Sequence, residues 1–111
     1  MSVVTRKVVR QKLLQAAVLE KIEREHLSVN TDRVREKVQS IRSRVTGKSL
    51  HRCLDQWEHI VEDNDIEAIR AVVVSDDEHA REMRNLSPLS ILLSEDERLQ
   101  VLDTLRNSWS E

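Results

Sequence analysis

Aromatic residues are almost missing from this chain: two tryptophans and no phenylalanine or tyrosine in 111 residues. The core must therefore be aliphatic, built from Leu, Val, Ile and Ala, with Trp57 and Trp109 as its large anchors. The same scarcity removes the stacking platforms that single-stranded nucleic acids and RNA require. One glycine and one proline are too few turn residues for a set of β-hairpins, which points to an all-α fold. The single cysteine, Cys53, has no internal disulfide partner, as expected in a reducing cytoplasm. No apolar run approaches the roughly 20 residues that span a bilayer. The N-terminal MSVVTRKVVRQ lacks the apolar stretch of a signal peptide. These absences predict a soluble, cytoplasmic protein of one domain, with no membrane partner.

Recognisable chemistry is also missing. No P-loop, dinucleotide fingerprint, nucleophile elbow or zinc-protease motif occurs, so neither an enzyme nor a cofactor is expected. A metal site could draw only on His51, Cys53 and His59, with His26 or His79 in support. On a helix, positions 51 and 53 point about 200° apart and cannot share an ion. Cys53 instead falls on an apolar stripe, where a free thiol acts as a small hydrophobe.

What the chain does have is charge, unevenly spread. The formal net charge of −2 combines two opposite halves. Residues 1–56 carry 13 Lys and Arg against 6 Asp and Glu, a net of +7; residues 57–111 carry 5 Arg, no Lys and 14 acids, a net of −9. Either two sets of solvated faces differ in sign, or a basic half meets a polyanion.

Five or six helices follow from the hydrophobic spacing. Residues 5–25 read as the first, with Thr5 as N-cap and a broad stripe of Val9, Leu13, Leu14, Ala16, Ala17, Val18 and Ile22. Arg6, Lys7, Arg10 and Lys12 crowd its first turns, where the helix dipole disfavours cations. Solvent tolerates such charge, and so does a helix that starts near phosphates. His26–Val29 is a connector. Asn30 or Thr31 caps a second helix over 31–45, whose stripe is Val34, Val38, Ile41 and Val45, ended by Gly47 in a left-handed C′ position. A third helix, about 48–62, has the cleanest pattern in the chain: Leu50, Cys53, Leu54, Trp57, Ile60 and Val61.

Beyond residue 62 the composition turns acidic. Asn64 or Asp65 caps a short helix on Ile66, Ile69, Val72 and Val73. Ser75-Asp76-Asp77-Glu78 reads as a capping box opening a helix with Ala80 and Met83 inward. Ser87-Pro88 is another helix start. Ser94-Glu95-Asp96-Glu97 is a second box, opening a final helix with a stripe of Leu99, Leu102, Leu105 and Trp109.

The stretch Ser28–Trp57 holds the function we expect. The Ala/Leu-rich first helix, Val29-Asn30-Thr31-Asp32-Arg33-Val34-Arg35, and Gly47-Lys48-Ser49-Leu50 running into Leu54 and Trp57 together resemble the N-terminal DNA-binding domain of KfrA-type plasmid regulators, over about residues 5–62. The resemblance implies a plasmid or phage regulator or accessory protein that binds operator DNA as a dimer. On the residues themselves, the basic helices of the first half read as a helix-turn-helix unit for sequence-specific duplex DNA. Lys48, Ser49, His51, Arg52 and Gln56 would approach base edges, and Arg33, Arg35, Arg42 and Arg44 would hold phosphates. Residues 63–111 would cover the core or form a dimer. The alternative is a small acidic helical interaction module, an inhibitor or adaptor such as a phage counter-defence protein, engaging a basic partner.

Overall fold

Nearly every helix here begins where a short polar side chain can take a free backbone N–H. In a computed structural model, which describes residues 5–108, the chain forms six α-helices and a single 3-10 turn, and no strand among those residues. They are α1 (Arg6–Glu25), α2 (Asp32–Arg42), α3 (Lys48–Asp63), α4 (Ile66–Val74), α5 (Glu78–Asn85), the turn Leu89–Leu92, and α6 (Glu95–Ser108). Thr5 caps α1 by accepting from Val8 N at 3.2 Å, and Thr31 caps α2 by accepting from Val34 N at 3.2 Å. Asp65 and Asp77 do the same for Ala68 N and Ala80 N. The box at α6 is complete: Glu97 N donates to Ser94 Oγ at 3.1 Å, and Ser94 N donates to Glu97 Oε1 at 2.7 Å.

Several expected boundaries move. The second helix stops at Arg42, three residues short of Val45; Ser43 Oγ donates to Ser40 O, diverting a carbonyl of the last turn to a side chain. Gly47 does not end α2. It sits at the N-cap of α3 with φ +105°, and no side chain caps that helix. The fifth helix opens at Asp77 rather than Ser75, whose hydroxyl instead accepts from Asp77 N. Ser87-Pro88 starts only a turn of 3-10 helix. Asn30 caps nothing on α2; its side-chain amide donates to Glu62 O at the end of α3.

Asn64 closes α3 in the left-handed conformation (φ 49°), and its side chain accepts from Val29 N at 2.8 Å. That bond ties the α1–α2 connector to the far end of α3. Trp57 is fully buried and donates its indole N–H to Met83 O at 2.9 Å. Around it pack Val18, Ile22, Val29, Val34, Val61, Ile69 and Leu89. A smaller apolar patch of Val38, Ile41 and Leu54 lies under α2. α4 and α5 each pack against both α1 and α3, while α6 rests on α1. In α1 the buried positions are Leu14, Gln15, Val18, Leu19 and Ile22; Ala16 of the expected stripe is exposed. Leu92 and Leu93 pack partly buried against the main core, Leu105 is buried and Leu99 is exposed. The expected anchor Trp109 lies outside the described residues.

Candidate nucleic-acid interface

The α2–α3 pair is held by a ladder of polar rungs. Arg35 Nε donates to Glu62 at 2.7 Å, Gln39 Nε2 to Glu58 at 2.8 Å, and Arg42 Nη2 lies 3.1 Å from Asp55 and 3.2 Å from Glu58. The rungs span α2 from first turn to last and run in reverse order along α3. The two helices therefore lie antiparallel, side by side, joined by residues 43–47, as in an αα-hairpin.

This ladder redistributes the nine expected contact residues. Arg35 is spent on Glu62, Asp32 and Asn30; the hydrogen bond it donates to Glu62, ahead of the charges of Glu62 and Asp32, pushes the guanidinium pKa above its usual value. Arg42 is only partly exposed and held between two α3 carboxylates. His51 turns inward to the connector: its Nε2 lies 3.1 Å from Val45 O and its Nδ1 3.5 Å from Arg42 Nη1. Ser49 donates to Glu82 of α5 at 3.3 Å and so faces along the protein. These four are not free to meet a ligand as they stand.

The other five are. Lys48, Arg52 and Gln56 are exposed and fall at i, i+4 and i+8 on one line of α3. Arg44 is exposed in the connector, its Nε donating to Ser40 O at 3.3 Å, and Arg33 is exposed on the first turn of α2. Arg44, Lys48 and Arg52 thus form a basic corner where the connector enters α3. Further along, the same outer face of α3 becomes acidic at Asp55, Glu62 and Asp63.

Ion pairing elsewhere sharpens the contrast. Among the described residues, the exposed cations with no acid partner are Arg33, Arg44, Lys48 and Arg52 on the hairpin, and Arg6, Lys7 and Arg10 at the start of α1. All are in the basic half.

Two side chains central to this region have no signature in the sequence. Glu82, on α5, contacts both Ser49 and Cys53, the latter at 3.7 Å. Cys53 is buried, and burial, then Glu82, pushes its thiol pKa up, away from the reactive thiolate. Arg84 is 1% exposed and donates to Val72 O and Ser75 O, capping the end of α4; burial lowers its pKa. No group of three His, Cys, Asp or Glu side chains among the described residues is placed to hold a metal ion. No described helix is long and apolar enough to cross a membrane. No protein-family model, curated protein or solved structure matches the chain.

Proposed function

We propose that the chain binds duplex DNA through the basic corner of the α2–α3 hairpin. The observation that supports this reading is the cluster Arg44, Lys48 and Arg52, exposed and without acid partners in a protein that pairs most of its other cations. Lys48 and Arg52 point from the first two turns of α3, where a recognition helix meets base edges, and Gln56 follows one turn later; Arg44 at the near end of the hairpin and Arg33 at its far end are the phosphate contacts. Arg35 and Arg42 are withdrawn from the contact set because their charge is balanced within the hairpin. The KfrA resemblance adds the role: a plasmid or phage transcriptional regulator or accessory factor, dimeric and cytoplasmic.

Fluorescence anisotropy with labelled duplex across a salt series tests this. Binding should weaken with salt at a slope of about −0.9 per neutralised phosphate. Replacing the two phosphate contacts in R33Q/R44Q should reduce that slope by about 2 units. A flat response to salt, with no binding even in dilute buffer, would sink the proposal.

A second reading rests on a neighbouring face, which Gln56 also borders. Val74, at the end of α4, is 63% exposed. Ala68, Ala71 and Val72 of the same helix line an apolar groove with Ala80 and Met83, with Asp77 also in its lining. An acidic interaction module would use this side. Charge reversal at Asp76, Asp77, Glu95 and Asp96 would then abolish function, whereas under the DNA reading it leaves duplex binding intact.

A further inference from the structure

The first turns of α1 concentrate positive charge where a helix tolerates it least. Arg6, Lys7 and Arg10 are exposed and have no acid partner among the described residues, and the first turn holds no acid. The positive end of the helix dipole repels Arg6 and Lys7 most strongly. Arg6 and Arg10, four residues apart, also repel each other on one face. A fourth cation, Arg106 of α6, joins them, its nearest carboxylate being Asp103 of its own helix at 3.7 Å. Together with Leu102 and Leu105 these side chains line a cavity of about 380 Å³ between the two helices.

We propose that this cavity binds a small phosphate ester, with the phosphate on the arginines and Lys7 and the organic body against Leu102, over a floor formed by the buried Leu105. Guanidinium groups match phosphate oxygens in paired, charge-assisted hydrogen bonds. An anion here also cancels the repulsion among the cations and their conflict with the dipole. The two leucines supply the apolar wall that a bare inorganic anion does not need. The volume falls in the range of small-molecule sites, about 300–1,000 Å³. No residue is shared with the α2–α3 corner, so this site stands or falls apart from DNA binding there.

Calorimetry with AMP, inorganic phosphate and uncharged adenosine tests the assignment, AMP serving as a phosphate with a flat organic body. AMP should bind more tightly than phosphate, and adenosine should not bind. R6Q/R10Q, both changes at exposed positions, should weaken AMP by about tenfold or more. R44Q/R52Q should leave AMP binding unchanged. Absence of AMP binding at millimolar concentration, or equal binding in R6Q/R10Q, overturns the proposal. So does a third result, in which AMP fails to bind while R6Q/R10Q weakens duplex DNA, because the phosphate contacted is then that of a nucleic-acid backbone.

Discussion

Gly47 is the one residue whose backbone dictates its identity. With φ +105° and ψ 142° it occupies a region essentially closed to residues with a Cβ. A Cβ built there would meet nothing within 4 Å, so space is not the issue and the cost of any side chain is purely conformational. Gly47→Ala should therefore destabilise by about 1–3 kcal/mol. In urea the midpoint should fall with the slope unchanged; a midpoint equal to that of the parent would show that the connector relaxes freely. The residue was legible as a break between two helices, but not as the start of the second. Sequence marks a glycine as permissive without saying which flank uses it. His51 carries the same lesson: its place on a polar helical face looked outward, yet the connector's Val45 carbonyl draws its ring in.

At the level of elements, apolar spacing placed α1, α3 and α4 well, because long stripes at helical period have few competing solutions. The end of α2 was not legible. Val45 continues the period and lies beside the Val38–Ile41–Leu54 patch, but from the connector rather than from the helix. The ladder across the hairpin was equally hidden, since it depends on which α3 face turns toward α2. It also yields a test of the proposed interface. Exposed ion pairs contribute only about 0–1 kcal/mol each, so E58Q/E62Q should cost little stability. Those changes release Arg35 from Glu62, leave Arg42 with Asp55 as its α3 partner, and remove two negative charges from the hairpin. Duplex binding should tighten, and its salt slope should steepen by up to about 1 unit. Unchanged or weaker binding would mean that the hairpin's outer face does not meet phosphate.

Across the whole molecule, the opposed charges of the two halves turn out to be partly an internal matter. Lys12, Lys21, Arg24, Arg35 and Arg42, all from the basic half, reach Asp76, Glu97, Glu62 or Glu58 from the acidic half. The +7 seen along the sequence therefore overstates what a ligand meets; the exposed cations left unpaired among the described residues are Arg33, the corner and the α1 cluster. Glu97 shows how such pairing holds the last helix in place. α6 rests on α1, and the Glu97 carboxylate joins the two by accepting from Lys21 Nζ at 2.7 Å while closing its own capping box. The hydrogen bond from Lys21, then that from Ser94 N, holds the Glu97 pKa down at about 2, against 4.5 for a free glutamate. A depressed carboxylate stabilises the fold fully above its unfolded pKa and loses that contribution as pH falls through the folded one. Stability from this group should thus be constant above about pH 5 and decline between 4.5 and about 2. Glu97→Gln should be less stable than the parent at pH 7, and the gap should close across that acid window. Hydrogen exchange should localise the acid-induced loosening to α6 ahead of the Trp57 core, because among the described residues α6 packs chiefly on α1 and opens with fewer contacts broken. If parent and variant stay equally far apart down to pH 2, Glu97 is not the link that fastens α6 to α1.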